Sequence, residues 1–281
     1  MKENPKEKKI VFLVSLQWFM EKDINKGSYK TYFSELQFYQ TMKNPDISET
    51  VKQYICKRTE HLSEDANFLE APWFYSYLYS QDNILSSAAL TCLKPYYAVK
   101  EKFLTLKDKH RALKTIKKFE NEPAQEIQNI DWAAELAEAE QSGQTSCTNN
   151  DFYIDDTYYD TYLRDRIGEL KNCNENVDLL QAKELGDFEA MLKICQQTEI
   201  EPFFIFIPTN GYYYDYTGLT QDKRNAFYDK IEGLTGQYGF SYYSMRDKEY
   251  EPYILYDAAH LGWKGWLHVS EQVTKHFAQS R

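Results

Sequence analysis

The sequence predicts an α/β fold in which a parallel sheet is flanked by helices. Two short, continuous apolar runs, at residues 10–14 and 202–207, are typical of strands that are buried on both faces of such a sheet. Helical and strand patterns alternate around the second run, as parallel sheets with crossover helices require. No repeat or low-complexity linker interrupts the chain. We therefore expect residues 1–281 to form a single domain, with a helical insertion at about residues 24–198.

The first strand is predicted within the segment KIVFLVSLQWF at residues 9–19. A strand that is buried on both faces is normally central in its sheet and has neighbours on both edges. This strand begins within ten residues of the first residue, so nothing before it can supply such neighbours. We therefore expect that something upstream of this strand has been removed, and that the sequence is an N-terminally truncated form of a longer protein.

A helical pattern extends from about residue 27 to residue 119, with Val99, Phe103, Leu106 and Leu113 at helical spacing. Nine Lys or Arg residues lie between residues 94 and 118, whereas residues 119–163 hold eleven Asp or Glu and no Lys or Arg. Such blocks of like charge usually form solvated faces. The alternative is that the basic helix contacts anionic lipid or the phosphates of an anionic polymer.

Beyond residue 130 the predicted elements alternate between helices and strands. They are an exposed helix at 133–148, an amphipathic helix at 187–198, the strand at 202–207, a helix at 221–235, a short strand at 239–243 and a final helix at 263–278. The final helix carries Trp266, Val269, Val273 and Phe277 on the face that we expect to meet the core.

Composition and charge exclude several classes of function. The formal net charge of −10 argues against general nucleic-acid binding, which needs cations to displace counterions from phosphates. The five Cys are far apart and form no Cys-x-x-Cys pair, so neither a zinc site nor another metal site is predicted, and no motif indicates a cofactor. The first residues contain no signal peptide and no apolar segment long enough to insert into a membrane.

Asp257 and His260 form the predicted catalytic pair, in the segment YDAAHLGW before the final helix. An Asp three residues before a His can accept a hydrogen bond from one imidazole nitrogen, which leaves the other nitrogen free as a general base. A base placed last in an α/β chain occurs in several hydrolases with a Ser-Asp-His order. The alternative is a structural His that caps the last helix.

The loop after the second strand is the predicted substrate site. Ligands of open α/β sheets bind beyond the carboxyl ends of the strands, which is where Asn210 and Tyr214 follow the strand at 202–207. We expect both side chains to contact substrate, with a packing role as the alternative.

Three segments in order resemble the DltD family, whose members act in D-alanyl-lipoteichoic acid biosynthesis. They are IVFLVSLQWF near the start, IPTNGYYYDYTGL at residues 207–219 and DAAHLGWKGW near the end. The family is SGNH-hydrolase-like, and the resemblance implies that Asp257 and His260 complete a Ser-Asp-His triad. Gln17 then stands where the superfamily has its oxyanion-hole Asn, and Trp18 beside it is assigned to substrate binding. Leu16 departs from the Pro that the family carries before its Gln-Trp, which we expect to alter loop stiffness more than chemistry.

The resemblance implies transfer of D-alanine to lipoteichoic acid at the extracellular face of the cell membrane of a Gram-positive bacterium. The implied partners are lipoteichoic acid, the D-alanyl carrier protein and membrane components of the same pathway. The family's nucleophilic Ser precedes the strand at 10–14, and residues 1–9 contain no Ser. We therefore expect this chain alone to be inactive. The resemblance also implies that the first two strands of the fold and the membrane anchor lie upstream. Two alternatives remain, a non-catalytic scaffold that binds teichoic acid or partner proteins, and an esterase or thioesterase for small acyl groups.

Overall fold

A computed structural model describes residues 8–63, 71–81, 83–119 and 130–278. The described strands form one parallel sheet in the order β1–β2–β3, with β1 at Lys9–Ser15, β2 at Glu201–Ile207 and β3 at Ser241–Ser244. The α/β prediction is confirmed, as are its strands, although the third strand begins at Ser241 and not at residue 239. Ser15 pairs with Ile207, so β1 and β2 end at the same edge of the sheet.

Helices account for most of the remaining described residues. They are α1 (Lys26–Tyr32), α2 (Glu35–Lys43), α3 (Glu49–Leu62), α4 (Ala71–Ser80), α5 (Ile84–Phe119), α6 (Trp132–Ser146), α7 (Asp156–Tyr158), α8 (Ile167–Leu170), α9 (Glu184–Gln197), α10 (Gly211–Tyr216), α11 (Gln221–Gln237) and α12 (Trp263–Ala278). Every helix predicted from the sequence is present, and α10 is a short additional helix directly after β2. None of the described helices combines the length and the apolar character that crossing a membrane requires.

The chain divides into two compact units, Ile24–Gln128 and a unit that combines Met1–Asp23 with Asn129–Arg281. The second of these contains the sheet and is called the sheet unit below. The first contains α1–α5 and is called the helical unit. The core of the helical unit is largely aromatic, with Phe38, Tyr39 and Tyr97 buried around Met42 and Cys56.

The sheet buries both of its faces because β2 alternates its side chains between two apolar clusters. Phe204 and Phe206 point to one face, where they pack with Phe12 of β1 and with side chains of α9 and α11. Phe203, Ile205 and Ile207 point to the other face. Successive residues of a strand point to opposite sides, so a continuous apolar run such as PFFIFI supplies both faces at once.

Helix α12 covers the second face through Val269 and Val273. The expectation that Trp266 and Phe277 also meet the core is wrong, since they are 52% and 43% exposed. The contact face of α12 is centred on Gly265 and Val269, which are buried. Trp266 is the next residue after Gly265 and is therefore rotated toward solvent.

Candidate active site

Asp257 and His260 lie in the loop that precedes α12, and their side chains are hydrogen-bonded. His260 Nδ1 is 2.7 Å from Asp257 Oδ2, while Asp257 Oδ1 accepts the backbone N–H groups of Ala259 and His260, each at 2.8 Å. A carboxylate can only accept hydrogen bonds, so this contact assigns the proton to Nδ1. Nε2 is then left as the basic nitrogen of the neutral imidazole.

The two side chains differ sharply in exposure. The Asp257 side chain is 6% exposed and the His260 side chain is 71% exposed. Among the described residues, no hydrogen bond engages Nε2. The carboxylate is therefore held in place by three donors, and the ring projects toward solvent with its basic nitrogen accessible. An oriented imidazole of this kind can take a proton from a hydroxyl and return it to a leaving group.

The backbone around this pair is fixed by its own hydrogen bonds. Tyr256 N–H donates to the carbonyl of His260 at 2.8 Å, and Gly262 N–H donates to the carbonyl of Ile254 at 2.8 Å. A Cβ atom at Gly262 would lie 2.7 Å from backbone atoms of Leu255 and Tyr256. Only glycine permits this close approach, so Gly262 is a packing requirement of the loop.

Asn210 connects this loop to the carboxyl end of β2. Its N–H donates to the carbonyl of Ala258 at 3.0 Å. Its side-chain oxygen accepts from Tyr213 N–H at 3.0 Å as the cap of α10, and its amide group donates to the carbonyl of Phe152 at 2.7 Å. Both ends of the Asn210 side chain are thus used within the fold, which gives it a clear role in positioning the loop. Contact with substrate stays a prediction.

The other predicted substrate residues lie in different surroundings. Tyr214 is 5% exposed and packs in the cluster on the Phe204 face of the sheet, where burial raises the pKa of its hydroxyl above the ordinary value. Trp18 is 55% exposed directly after β1. Substrate contact therefore stays a prediction for both, and only Trp18 presents its side chain to solvent.

Gln17 follows the carboxyl end of β1, in the 3₁₀ turn Leu16–Phe19, and is half-buried. Because Ser15 pairs with Ile207, this turn lies at the same edge of the sheet as Asn210, whose N–H is bonded to the loop of the Asp257–His260 pair. The fold thus brings Gln17 and the pair to one edge. The oxyanion role of Gln17 remains a prediction.

Ser15 has an unusual environment that the sequence does not predict. It is fully buried at the last position of β1, and its hydroxyl has no hydrogen-bond partner in the part of the chain that the structure describes. A buried hydroxyl without a partner costs about 1–3 kcal/mol. No sequence pattern distinguishes it from an ordinary strand serine.

A buried network of ion pairs lies next to the site. It was not predicted from the sequence either. Arg224 is fully buried, with Nε 3.0–3.1 Å from both carboxylate oxygens of Glu249 and Nη1 2.8 Å from Asp215 Oδ1. Burial alone would lower the pKa of Arg224, but the charges of Glu249 and Asp215 raise it above the ordinary value, so the guanidinium stays charged.

The network reaches the loop through Glu249. Its carboxylate accepts from the Thr209 hydroxyl at 3.1 Å, and its carbonyl accepts from Gly211 N–H at 2.8 Å. These contacts flank Asn210 on both sides. A sequence signal existed, because Arg224 shares a helical face with Phe227, Tyr228 and Ile231, and a charge on an apolar face indicates a buried partner.

In the described part of the chain, no group of three or more His, Cys, Asp or Glu residues could hold a metal ion. The five cysteines are free thiols, and Cys56, Cys147 and Cys195 are buried. Burial raises the pKa of the Cys56 thiol to about 12. The buried thiols are therefore protonated and behave as small apolar side chains.

Comparisons of the sequence with a family model and with known proteins all point to one family. The family model described as "DltD protein" matches residues 1–278. The protein named "Protein DltD" from Bacillus subtilis is 30% identical over 272 residues, which are 97% of this chain and 68% of that protein. The protein of the same name from Staphylococcus aureus is 26% identical over 275 residues, 96% of this chain and 66% of that protein. The chain thus spans about two thirds of the length of these relatives.

Proposed function

Because this chain belongs to the DltD family, we propose that it serves in D-alanyl-lipoteichoic acid biosynthesis, at the extracellular face of the cell membrane. One observation supports a catalytic role most directly. Asp257 holds His260 Nδ1 at 2.7 Å while Nε2 remains exposed. That arrangement is the base half of a Ser-His-Asp triad, and its chemistry is acyl transfer.

In the proposed reaction, His260 Nε2 removes the proton of a serine hydroxyl that lies upstream of β1, as the family resemblance implies. The serine oxygen attacks the carbonyl carbon of the D-alanyl donor, and His260 returns the proton to the leaving group. A hydroxyl of lipoteichoic acid then loses its proton to His260 and attacks the D-alanyl ester, and the serine regains its hydrogen. The D-alanyl carrier protein and the membrane components of the pathway are the proposed partners.

The other residues of the site have separate tasks in this scheme. Asp257 fixes the tautomer of His260 and stabilises the imidazolium that forms. Gln17 is proposed to donate its side-chain amide to the oxyanion of the tetrahedral intermediate, because it lies at the same sheet edge and is half-buried. Trp18, Asn210 and Tyr214 are proposed to line the acceptor side, with Trp18 the most exposed of the three.

The test introduces His260→Ala into the full-length gene product, in a Gram-positive host that lacks its own DltD. Alkali-labile D-alanine per lipoteichoic-acid phosphate is the readout, with protein abundance measured in parallel. We expect the variant to lose essentially all D-alanylation at normal abundance. Asp247→Asn is the control, since Asp247 is exposed and lies outside the pair. Normal D-alanylation by the His260→Ala variant would refute the catalytic role and favour the scaffold.

A further inference from the structure

Helix α5 has two apolar faces, and among the residues that the structure describes only one of them is packed. Leu90, Leu93, Tyr97 and Leu104 face the core of the helical unit. The opposite face carries a second set of large apolar side chains, all more than half exposed. They are Leu85, Tyr96, Val99, Phe103, Leu106 and Leu113, which are 82%, 51%, 55%, 70%, 64% and 57% exposed. We call this set the α5 stripe.

The α5 stripe runs along one side of the helix, where His110 interrupts it between Leu106 and Leu113. At 100° per residue, its members fall within about 55° of the mean direction of the set. From Tyr96 to Leu113 it is about 25 Å long at 1.5 Å per residue. Beyond residue 105, every residue of α5 whose burial is described is exposed, up to residue 117. The second half of the helix therefore presents its apolar stripe fully to the surroundings.

Positive charge flanks the stripe on both sides. Lys102 and Lys109 lie on one flank, and Lys107 and Lys114 lie on the other, all four exposed. The two acidic residues of this segment, Glu101 and Asp108, lie on the opposite side of the helix. Glu101 is moreover paired with Lys43 of α2. An apolar stripe bordered by lysines is the pattern of a helix that lies in the interface of an anionic bilayer.

Other occupants fit this surface less well. A second copy of the chain would bring the flanking lysines of one stripe against those of the other, and like charges repel. A soluble polyphosphate would pair with the lysines but leave the apolar side chains in water. A transmembrane position is excluded for α5 by its charge, since nine Lys or Arg lie between residues 94 and 118.

We propose that the α5 stripe docks the protein onto the surface of an anionic lipid bilayer, with Phe103 and Leu106 inserted at the headgroup level and the flanking lysines contacting lipid phosphates. This surface is independent of the Asp257–His260 pair, and it would orient the helical unit against the membrane. The proposed reaction at the other unit does not depend on it.

The test measures co-sedimentation of the 281-residue chain with vesicles. Vesicles of phosphatidylcholine with phosphatidylglycerol are compared with vesicles of phosphatidylcholine alone, at low and high salt. We expect binding only to the anionic vesicles, weakened by salt. Phe103→Glu should lower the partition coefficient about tenfold or more, because a large apolar side chain no longer leaves water. The Lys102→Glu/Lys109→Glu double variant should lower it about twentyfold or more.

Matched controls lie in the sheet unit. Leu180→Glu alters a side chain that is 48% exposed, and Lys171→Glu reverses an exposed charge, so neither should change binding. Circular dichroism verifies that all variants are folded. Absence of binding to anionic vesicles, or equal binding by wild type and stripe variants, would overturn the proposal. So would a concentration-dependent dimer that Phe103→Glu dissociates, because the stripe would then bind a second copy. The proposal would also be overturned if vesicles are not bound and a soluble polyphosphate binds wild type and Phe103→Glu equally well.

Discussion

Gly265→Ala should destabilise the sheet unit, although it places a better helix former inside α12. A Cβ atom at Gly265 would lie 2.1 Å from the carbonyl oxygen of Ile254 and 2.9 Å from the Leu261 side chain. Ordinary carbon contacts are about 3.5–4.0 Å. The helix and the segment before the Asp257–His260 loop would therefore have to separate by roughly 1 Å or more.

The magnitude follows from three opposing effects. Relief of the glycine's extra backbone entropy stabilises a helix interior by about 1 kcal/mol. Overpacking costs about 1–3 kcal/mol. The carbonyl of Ile254 also accepts from Gly262 N–H at 2.8 Å, and loss of that bond costs about 0.5–1.5 kcal/mol. The net expectation is a loss of about 1–3 kcal/mol in the free energy of unfolding.

Gly233→Ala provides the matched control in α11, because no atom lies within 4 Å of its added Cβ. It should stabilise by about 0.5–1 kcal/mol. Urea unfolding followed by tryptophan fluorescence reports mainly on the sheet unit, since it contains Trp18, Trp132, Trp263 and Trp266, four of the five tryptophans. The reasoning would be refuted if Gly265→Ala raised the unfolding midpoint as Gly233→Ala does, with the m-value unchanged.

Three further predictions concern the site and its support. In the full-length protein, Asp257→Asn should lower the rate of D-alanyl transfer by a factor on the order of 10⁴, because the tautomer of His260 is no longer fixed. Wild-type turnover by this variant would rule out a catalytic role for the pair. Gln17→Ala in the same protein should lower kcat by a factor of about 10²–10³ and leave KM nearly unchanged. A rise in KM with an unchanged kcat would contradict the oxyanion role. Burial alone would raise the pKa of Glu251, but hydrogen bonds from Lys264 and Lys248 hold it below the ordinary value of 4.5. Wild type should therefore be more stable than Glu251→Gln at pH values above 4.5, and this difference should disappear as the pH falls below 4.5. Urea unfolding midpoints of both proteins, measured from neutral to acidic pH, test this.

The elements that the sequence predicts well are those whose pattern is local. Residues 10–14 and 202–207 are apolar without interruption, and they form β1 and β2. The amphipathic pattern at residues 187–198 predicts a helix, and α9 is present at Glu184–Gln197. The Asp257–His260 contact was also predictable, because His260 is three positions after Asp257 and a single turn of the loop brings the two side chains together.

The sequence by itself determined where the strands and most of the helices lie, and which Asp and His are neighbours. Only the tertiary structure decided which of the two apolar faces of α5 is covered, how Arg224 is paired with Glu249, and that Asn210 is used to position the loop. The physical reason is the sequence separation of the residues that interact. Periodicity records which side chains share a face of one element, whereas burial and ion pairing depend on segments that are distant in sequence and meet only when the chain folds.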